Sequence, residues 1–382
     1  MTAAITLASG PWVVAPAAPA SPCATSGDPA CFYVDARLGD DGHAGTRLAP
    51  WRTIQHAADV VRPGDTVVVN DGVYTGGTEV VSISRSGTPA RWLVFRAAHR
   101  WAAVIDGRDH TSTTAIEITG SYVWVEGFEI RNTSRYGIDP EEGHDVMITQ
   151  NHVHHIGHVC TGSKGGIVGI DAYSSNLTIE RNLVHDIGRL GPGEEGCSPP
   201  NAYWQNHDHG IYHGVGDHVV IRNNVFYNLT HGWAIQRYDG HGTLVTGLTI
   251  ANNTFVGANP QRPGQIIIAT PTTDLLIVNN IFYGPREAAV WFDTPGLRDV
   301  TVTHNLTSAG PVSTGLTTGV AFSGNLDNVD PRFVSADRVD FHLQATSPAI
   351  GAGSPLSGVS NDFDGAPRPA AGGYTIGAYE YR

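Results

Sequence analysis

One phrase recurs along this chain: two or three alternating apolar residues, a polar pair, an asparagine, then another apolar pair. It occupies 123–132, 146–151, 177–182, 219–224, 248–253, 275–280 and 300–305, and its asparagines stand 19, 31, 42, 29, 27 and 25 residues apart. An array of antiparallel hairpins has no need of an Asn at one recurrent place. A parallel β-helix does, because each coil turns sharply between two short strands. There Asn tolerates left-handed backbone, and its amide can bond to the Asn of the coils above and below. The apolar positions then stack into one core, and each coil is stabilised by its neighbours. The pattern predicts an all-β chain folded as a right-handed parallel β-helix of eight to ten coils.

Ahead of the coils, 33–35, 50–58 and 63–69 read as strand, helix and strand. Over 53–61, Ile54, Ala57, Ala58 and Val61 fall on one helical face, and that short helix should plug the open end of the solenoid. Four segments are expected: a signal-peptide remnant at 1–20, an N-terminal arm and cap at 21–75, the β-helix at 76–330, and a module at 331–382 closing the solenoid.

Composition agrees with a turn-rich β protein: 46 of 382 residues are glycine and 15% are charged. The net charge of −13 excludes a general nucleic-acid binder, which needs a basic surface, and no apolar run is long enough to span a membrane. Segment 1–20 is Ala/Val/Pro-rich, carries no charge and ends in Ala18-Pro19-Ala20, a cleavage-like pattern that predicts secretion. Four cysteines then suit two disulfides. Cys23 with Cys31 would staple the arm, and Cys160 with Cys197 would tie two enlarged loops.

The stretch from Phe32-Tyr-Val-Asp to Gly72-Val-Tyr74 resembles the N-terminal cap of secreted right-handed β-helix carbohydrate-active proteins of the pectin-lyase-like type. At the other end stand Phe341-His-Leu-Gln-Ala-Thr-Ser-Pro-Ala-Ile350, Asp362-Phe-Asp-Gly-Ala-Pro-Arg368 and Ile376-Gly-Ala-Tyr-Glu-Tyr381. They resemble the choice-of-anchor Q module of the same group. The resemblance covers about 31–382 and implies fold and secretion more than reaction, since such proteins include lyases, hydrolases and epimerases.

Asn spacing locates the candidate site. The intervals of 31 and 42 exceed a plain coil, and the extra length falls at 157–164 and 188–205. Long loops on a rigid scaffold carry function. Between them runs Asn206-His207-Asp208-His209-Gly210-Ile211-Tyr212-His213, followed one coil later by Gly232-Trp233-Ala-Ile-Gln-Arg237-Tyr238. Earlier coils hold Gly137-Ile-Asp139 and Gly169-Ile-Asp171. With each Ile inward, alternation turns Asp139, Asp171 and Tyr212 outward. The expected face is a groove for an extended polysaccharide, with Lys164, Trp204, His209, Trp233 and Tyr238 as further binding residues.

β-Elimination on a uronate needs a group to neutralise the carboxylate, a base for the C5 proton and an acid at the leaving oxygen. His213 is the candidate base, Arg237 the neutraliser and Tyr212 the acid, with Asp171 beside them. The phrase 232–237 is similar to one in the chondroitinase B and alginate lyase family, where a catalytic Lys lies one coil earlier. His213 stands at or next to that Lys position. The resemblance places that family's calcium carboxylates at Asn206 and Asp208, one amide and one carboxylate. With His207 these form the candidate set for calcium or another divalent metal, although the reaction requires no cofactor. A transition-metal set of His207, His209 and His213 is the alternative. His152, His154, His155, His158 and His185 read as ordinary turn or face residues.

Two rival functions stand beside the lyase. One is a hydrolase with paired Asp139 and Asp171, or Asp171 and Asp208, acting on a neutral glycan, which the acidic net charge favours. The other is a non-catalytic surface protein binding glycan on Trp204, Tyr212, Trp233 and Tyr238. A monomer is expected.

Overall fold

The computed structural model describes residues 23, 31–162, 165–198, 206–369 and 373–382. Segment 1–20, Lys164 and Trp204 lie outside the described residues. Three parallel sheets wind around one core. Sheet 1 has eleven strands, from Cys31–Val34 to Val320–Ser323. Sheet 2 has nine, from Gly72–Tyr74 to Leu306–Thr307, and sheet 3 has nine, from Glu79–Ile83 to Ser313–Gly315. The chain visits sheets 1, 2 and 3 in turn, so nine coils carry a strand in all three, within the expected number.

Seven asparagines hold the turn between sheets 1 and 2. Asn182 donates from its backbone N–H to Asn224 Oδ1 at 2.8 Å and from Nδ2 to the same oxygen at 3.0 Å. The same double contact joins Asn151 to Asn182, Asn224 to Asn253, Asn253 to Asn280, Asn280 to Asn305, and Asn305 to Asn325. Each amide nitrogen also donates to a carbonyl of the preceding coil, as Asn224 Nδ2 does to Ile179 O at 2.9 Å. Every polar atom is thereby used where burial would otherwise penalise it. Two expectations change. The left-handed residue is the one before each ladder Asn: Gln150, Arg181, Asn223, Asn252, Asn279 and His304 sit at φ 51–59°. Asn132 is not in the column, because Phe128 occupies that place and donates to Asn151 Oδ1.

Inside the coils Phe226, Phe255 and Phe282 stack with centroids 4.9 Å apart and planes 5° apart. The chain's coil repeat thus matches the stacking distance of aromatic rings. At the N-terminal end the predicted helix forms over Ile54–Val60 and buries Ile54, Ala57 and Ala58, with Thr53 accepting from His56 N–H as its cap. Both expected disulfides are present, Cys23–Cys31 and Cys160–Cys197, with Cα atoms 5.6 and 5.3 Å apart.

The C-terminal segment packs against the outside of the coils. It begins with an antiparallel pair, Phe333–Ser335 and Asp340–Leu343, and then runs back along the corner of sheets 1 and 2. Phe341, Phe363, Ile376 and Tyr379 pack with Val225, Ile281 and Leu306. The left-handed residues just before the ladder hold it: Asn223 Nδ2 donates to Asn361 O at 2.8 Å, Asn279 Nδ2 to Ser354 O at 2.7 Å, and Arg181 Nε to Phe363 O at 3.1 Å. A paired Asn-Asn therefore has two tasks, one amide in the ladder and one on the strap.

Candidate functional site

Sheet 3 carries the candidate face. Its strands Tyr136–Pro140, Ile167–Ala172, Asp208–His213 and Ile235–Arg237 pair in parallel. Ile138, Ile170, Ile211 and Ile235 point inward with no exposure. Glycine before the first three of these isoleucines is a steric need: a Cβ at Gly137 would stand 2.4 Å from Gly169 O and 2.7 Å from the Val153 side chain. The next position faces outward and forms one column through Glu117, Asp139, Asp171, Tyr212 and Gln236 on successive coils.

Around that column lies a groove of about 210 Å³. Asp171, Tyr212 and Gln236 form its floor, Tyr173 and Tyr238 one wall, and Arg135, Tyr136, Asn206, His207 and His209 the other. Asp139 continues the column one coil below. Gly166, Asn206 and His207, which directly follow the two enlarged loops, line one wall.

Electrostatics single out the carboxyls. Burial, then Glu141 and Glu117, push Asp139 up to about 7. Burial and then Asp139 push Asp171 well above the usual carboxylate range, while Arg135 pulls the other way. Burial and neighbouring carboxyls thus favour the protonated form of both groups. Asp171 Oδ1 and Gln236 Oε1 are buried without a hydrogen-bond partner in the protein. Tyr212 stacks on Tyr173 at 5.9 Å and hydrogen-bonds to it, and burial raises both phenols.

Several expected residues are elsewhere. His213 and Arg237 occupy the column beside Ala172 and Ile268, facing the interior, and neither has any exposure. His213 Nδ1 lies 3.1 Å from Ala172 O, and burial holds the ring down at about 4. Arg237 donates to Gly214 O at 2.7 Å and Thr243 O at 2.6 Å. Neither side chain reaches a polymer on the outer face, so the base and neutraliser expected of them do not fit. Gly232 has a packing reason instead: a Cβ there would stand 1.7 Å from Asp208 O. Trp233 is 4% exposed with its indole N–H on Pro263 O, and cannot stack on a glycan. His209 is 2% exposed and is held by burial at about 3. It stacks on Trp233 and supports the wall more than it offers a contact.

The expected divalent set does not fit a metal. Asp208 is sealed in a bidentate pair with Arg189, with Nη2 to Oδ1 at 2.6 Å, Nε to Oδ2 at 2.8 Å, and both side chains fully buried. Arg189 N–H takes Oδ2 as well. No carboxylate oxygen remains for calcium, and the imidazole of His213 faces away from those of His207 and His209. This pairing also removes Asp208 as a hydrolase partner of Asp171.

Sequence reading overlooked Arg135, Tyr173 and Gln236. Arg135 is exposed, its guanidinium sits 4.6 Å from the Tyr136 ring centroid, and Nε donates to Gly166 O at 3.3 Å. It lies two residues before a strand glycine, at an offset no repeat marks. On sheet 2 the supposed face histidines instead converge. His152 and His154 are held down at about 3 and about 2, first by burial and then by their neighbouring imidazoles.

A groove on a parallel-sheet face of a right-handed β-helix defines the class of protein. A family model described as "Pel9A-like, right handed beta helix region" matches residues 32–256, and a general right-handed β-helix model matches 200–329. The chain belongs to the Pel9A-like right-handed β-helix family. The narrower likenesses to chondroitinase B and to a choice-of-anchor Q module go beyond what these matches carry. The chain is 28% identical over 208 residues to pectate lyase PEL9 of Emericella nidulans, covering 48% of this chain and 50% of that protein. It is 26% identical over 305 residues to the uncharacterized protein YwoF of Bacillus subtilis, covering 64% and 62%. It thus spans about half to three-fifths of these curated relatives. Among solved structures, pectate lyase Pel9A covers 92% of this chain and 96% of its own at 15% identity and a TM-score of 0.62. A rhamnogalacturonan lyase covers 81% and 91% at 14% identity and 0.50. At these identities the likeness is one of fold. No helix among the described residues is long and apolar enough to cross a membrane.

Proposed function

We propose that this protein is a secreted, polysaccharide-degrading lyase that cleaves a uronate-containing glycan by β-elimination in the sheet 3 groove. The observation that carries the reading is the convergence there of Arg135, Asp171 and Tyr212. Arg135 would neutralise the uronate carboxylate and acidify the C5 proton. Asp171, in its ionised form, would take that proton; the C4–O4 bond then breaks as the C4–C5 double bond forms. The Tyr212 hydroxyl would protonate the leaving oxygen, with Tyr173 holding the phenol in place. The likeness to a pectate lyase supports the uronate.

A second reading rests on the Asp139–Asp171 pair. One coil apart spaces their backbones by about 4.8 Å, which lets the two carboxyls approach the roughly 5–5.5 Å of a retaining pair. One protonated and one ionised carboxyl is what such a hydrolase needs. A panel of uronate and neutral polysaccharides separates the two. New ultraviolet absorption with new chain ends supports the lyase, new reducing ends alone support the hydrolase, and neither signal leaves a glycan binder.

A further inference from the structure

Sheet 2 holds a second cluster, outside the groove. Counting from the ladder, His154 is three residues past Asn151 and His185 three past Asn182, so the two imidazoles share a column on adjacent coils. Their rings stack at 5.1 Å with planes 3° apart. His152 and Glu129 share the neighbouring column one coil apart. Ligand atoms of Glu129, His152 and His154 all lie within 4.8 Å of one another.

We propose that Glu129, His152, His154 and His185 form a transition-metal site, taking zinc or a similar divalent ion, that clamps three consecutive coils. Three observations carry it. His154 is 9% exposed, and its Nε2 is buried with no hydrogen-bond partner, 3.4 Å from Glu129 Oε1. Tetrahedral zinc with bonds of about 2.0–2.1 Å separates its ligand atoms by about 3.3 Å, which is that separation. The second pair, His152 Nε2 and His185 Nε2, lies 2.7 Å apart and needs to open by roughly 0.6 Å to meet the same geometry.

The supporting shell has the chemistry of a metal centre. His185 Nδ1 is engaged by the Asp186 carboxylate, and His154 Nδ1 by His155 Nδ1 at 2.7 Å. A carboxylate on Nδ1 places the proton there and leaves Nε2 as a lone pair, the arrangement usual for a ligating histidine. Glu129 Oε1, the oxygen facing His154 Nε2, also accepts from Arg131 Nη1 at 2.7 Å, which fixes its orientation and leaves its second lone pair and Oε2 for a cation. Trp101 at 5.0 Å from His152 and Tyr227 stacked at 4.2 Å on His185 wall the cluster and limit water. Three imidazoles and one carboxylate favour zinc, copper, nickel or cobalt over calcium. Glu129, His152 and His154 already converge, and His185, in contact with His152 Nε2, would complete four protein ligands by a side-chain shift, which makes this a structural site rather than an open catalytic one.

The test uses the full chain without a histidine tag, stripped with chelator and titrated with cobalt(II). One equivalent should bind with the visible absorption of a tetrahedral site and be displaced by zinc, and zinc should raise the melting temperature with the logarithm of its free concentration once that exceeds Kd. His154→Ala and His185→Ala should each weaken cobalt binding by about 100-fold or more, and Glu129→Gln should weaken it while conserving shape. Circular dichroism establishes which variants fold. The proposal is overturned by a parent that binds no stoichiometric cobalt, by folded variants that bind like the parent, or by binding that disappears only on changing His207.

Discussion

Arg189 and Asp208 form a two-pronged ion pair sealed inside the protein, with neither side chain exposed. It pins the start of the second enlarged loop to the first residue of a sheet 3 strand, and so positions the groove wall that follows. Removing one partner strands the other charge in the interior, which costs about 3–5 kcal/mol. Asp208→Asn should therefore lower unfolding free energy in urea by about that amount, and added calcium should not restore it. A loss under about 1 kcal/mol would mean the pair is less closed than it stands here.

Stability should also report on Asp139. Its folded form holds a proton up to about pH 7, whereas the unfolded carboxyl releases it near 4. The unfolded state thus gains by ionising first, and stability falls as pH rises from about 4 to about 7 and then levels off. The gap between the folded and unfolded values corresponds to roughly 4 kcal/mol at most. Asp139→Asn removes that slope, so the variant should melt higher than the parent at pH 8 and similarly at pH 4. Parallel curves across the range would show that Asp139 is not held protonated.

Within the groove, Asp171→Asn and Arg135→Ala should each reduce turnover on a cleaved uronate glycan by about 10²-fold or more. His213→Gln alters a side chain behind the sheet and should act on folding, leaving turnover per folded molecule near that of the parent. Lyase activity should rise with pH as Asp171, held above the usual carboxylate range, ionises. A bell centred near neutrality would favour the paired-carboxyl hydrolase instead. Loss of activity in folded His213→Gln with none in Asp171→Asn would reverse the assignment.

What could be read from the sequence was whatever repeats. Asn182, Asn224 and Asn253 announce the ladder because each coil imposes the same turn, and Ile138, Ile170 and Ile211 announce the inward column for the same reason. That column also holds the answer about His213, which is two residues past Ile211 and so shares its inward face. Arg237 stands in the same relation to Ile235. The phrase around Gly232 resembles a catalytic one, but alternation from Ile235 turns Arg237 inward. Arg135 follows no repeat, because it sits where a turn enters the strand. His154 and His185 were legible as one column by counting from the ladder, but their convergence depends on side-chain directions that counting does not supply.

The paired asparagines give the sharpest contrast between neighbours. Asn224 accepts two bonds from Asn182 and donates to Asn253 and Ile179, all buried. Asn224→Ala leaves several buried polar groups unmatched, each worth about 1–3 kcal/mol, so a global loss of roughly 3–5 kcal/mol is expected in denaturant unfolding. Asn223, one residue earlier, faces the strap, donating to Asn361 O and accepting from Arg368 Nη2 at 2.9 Å. Glycine tolerates its φ of 54°, so Asn223→Gly tests the strap without straining the turn. That variant should lose less than about 2 kcal/mol and show protease cleavage and faster hydrogen exchange within 354–380 while the coils stay protected. Equal destabilisation by the two changes would mean that strap and ladder unfold as one unit.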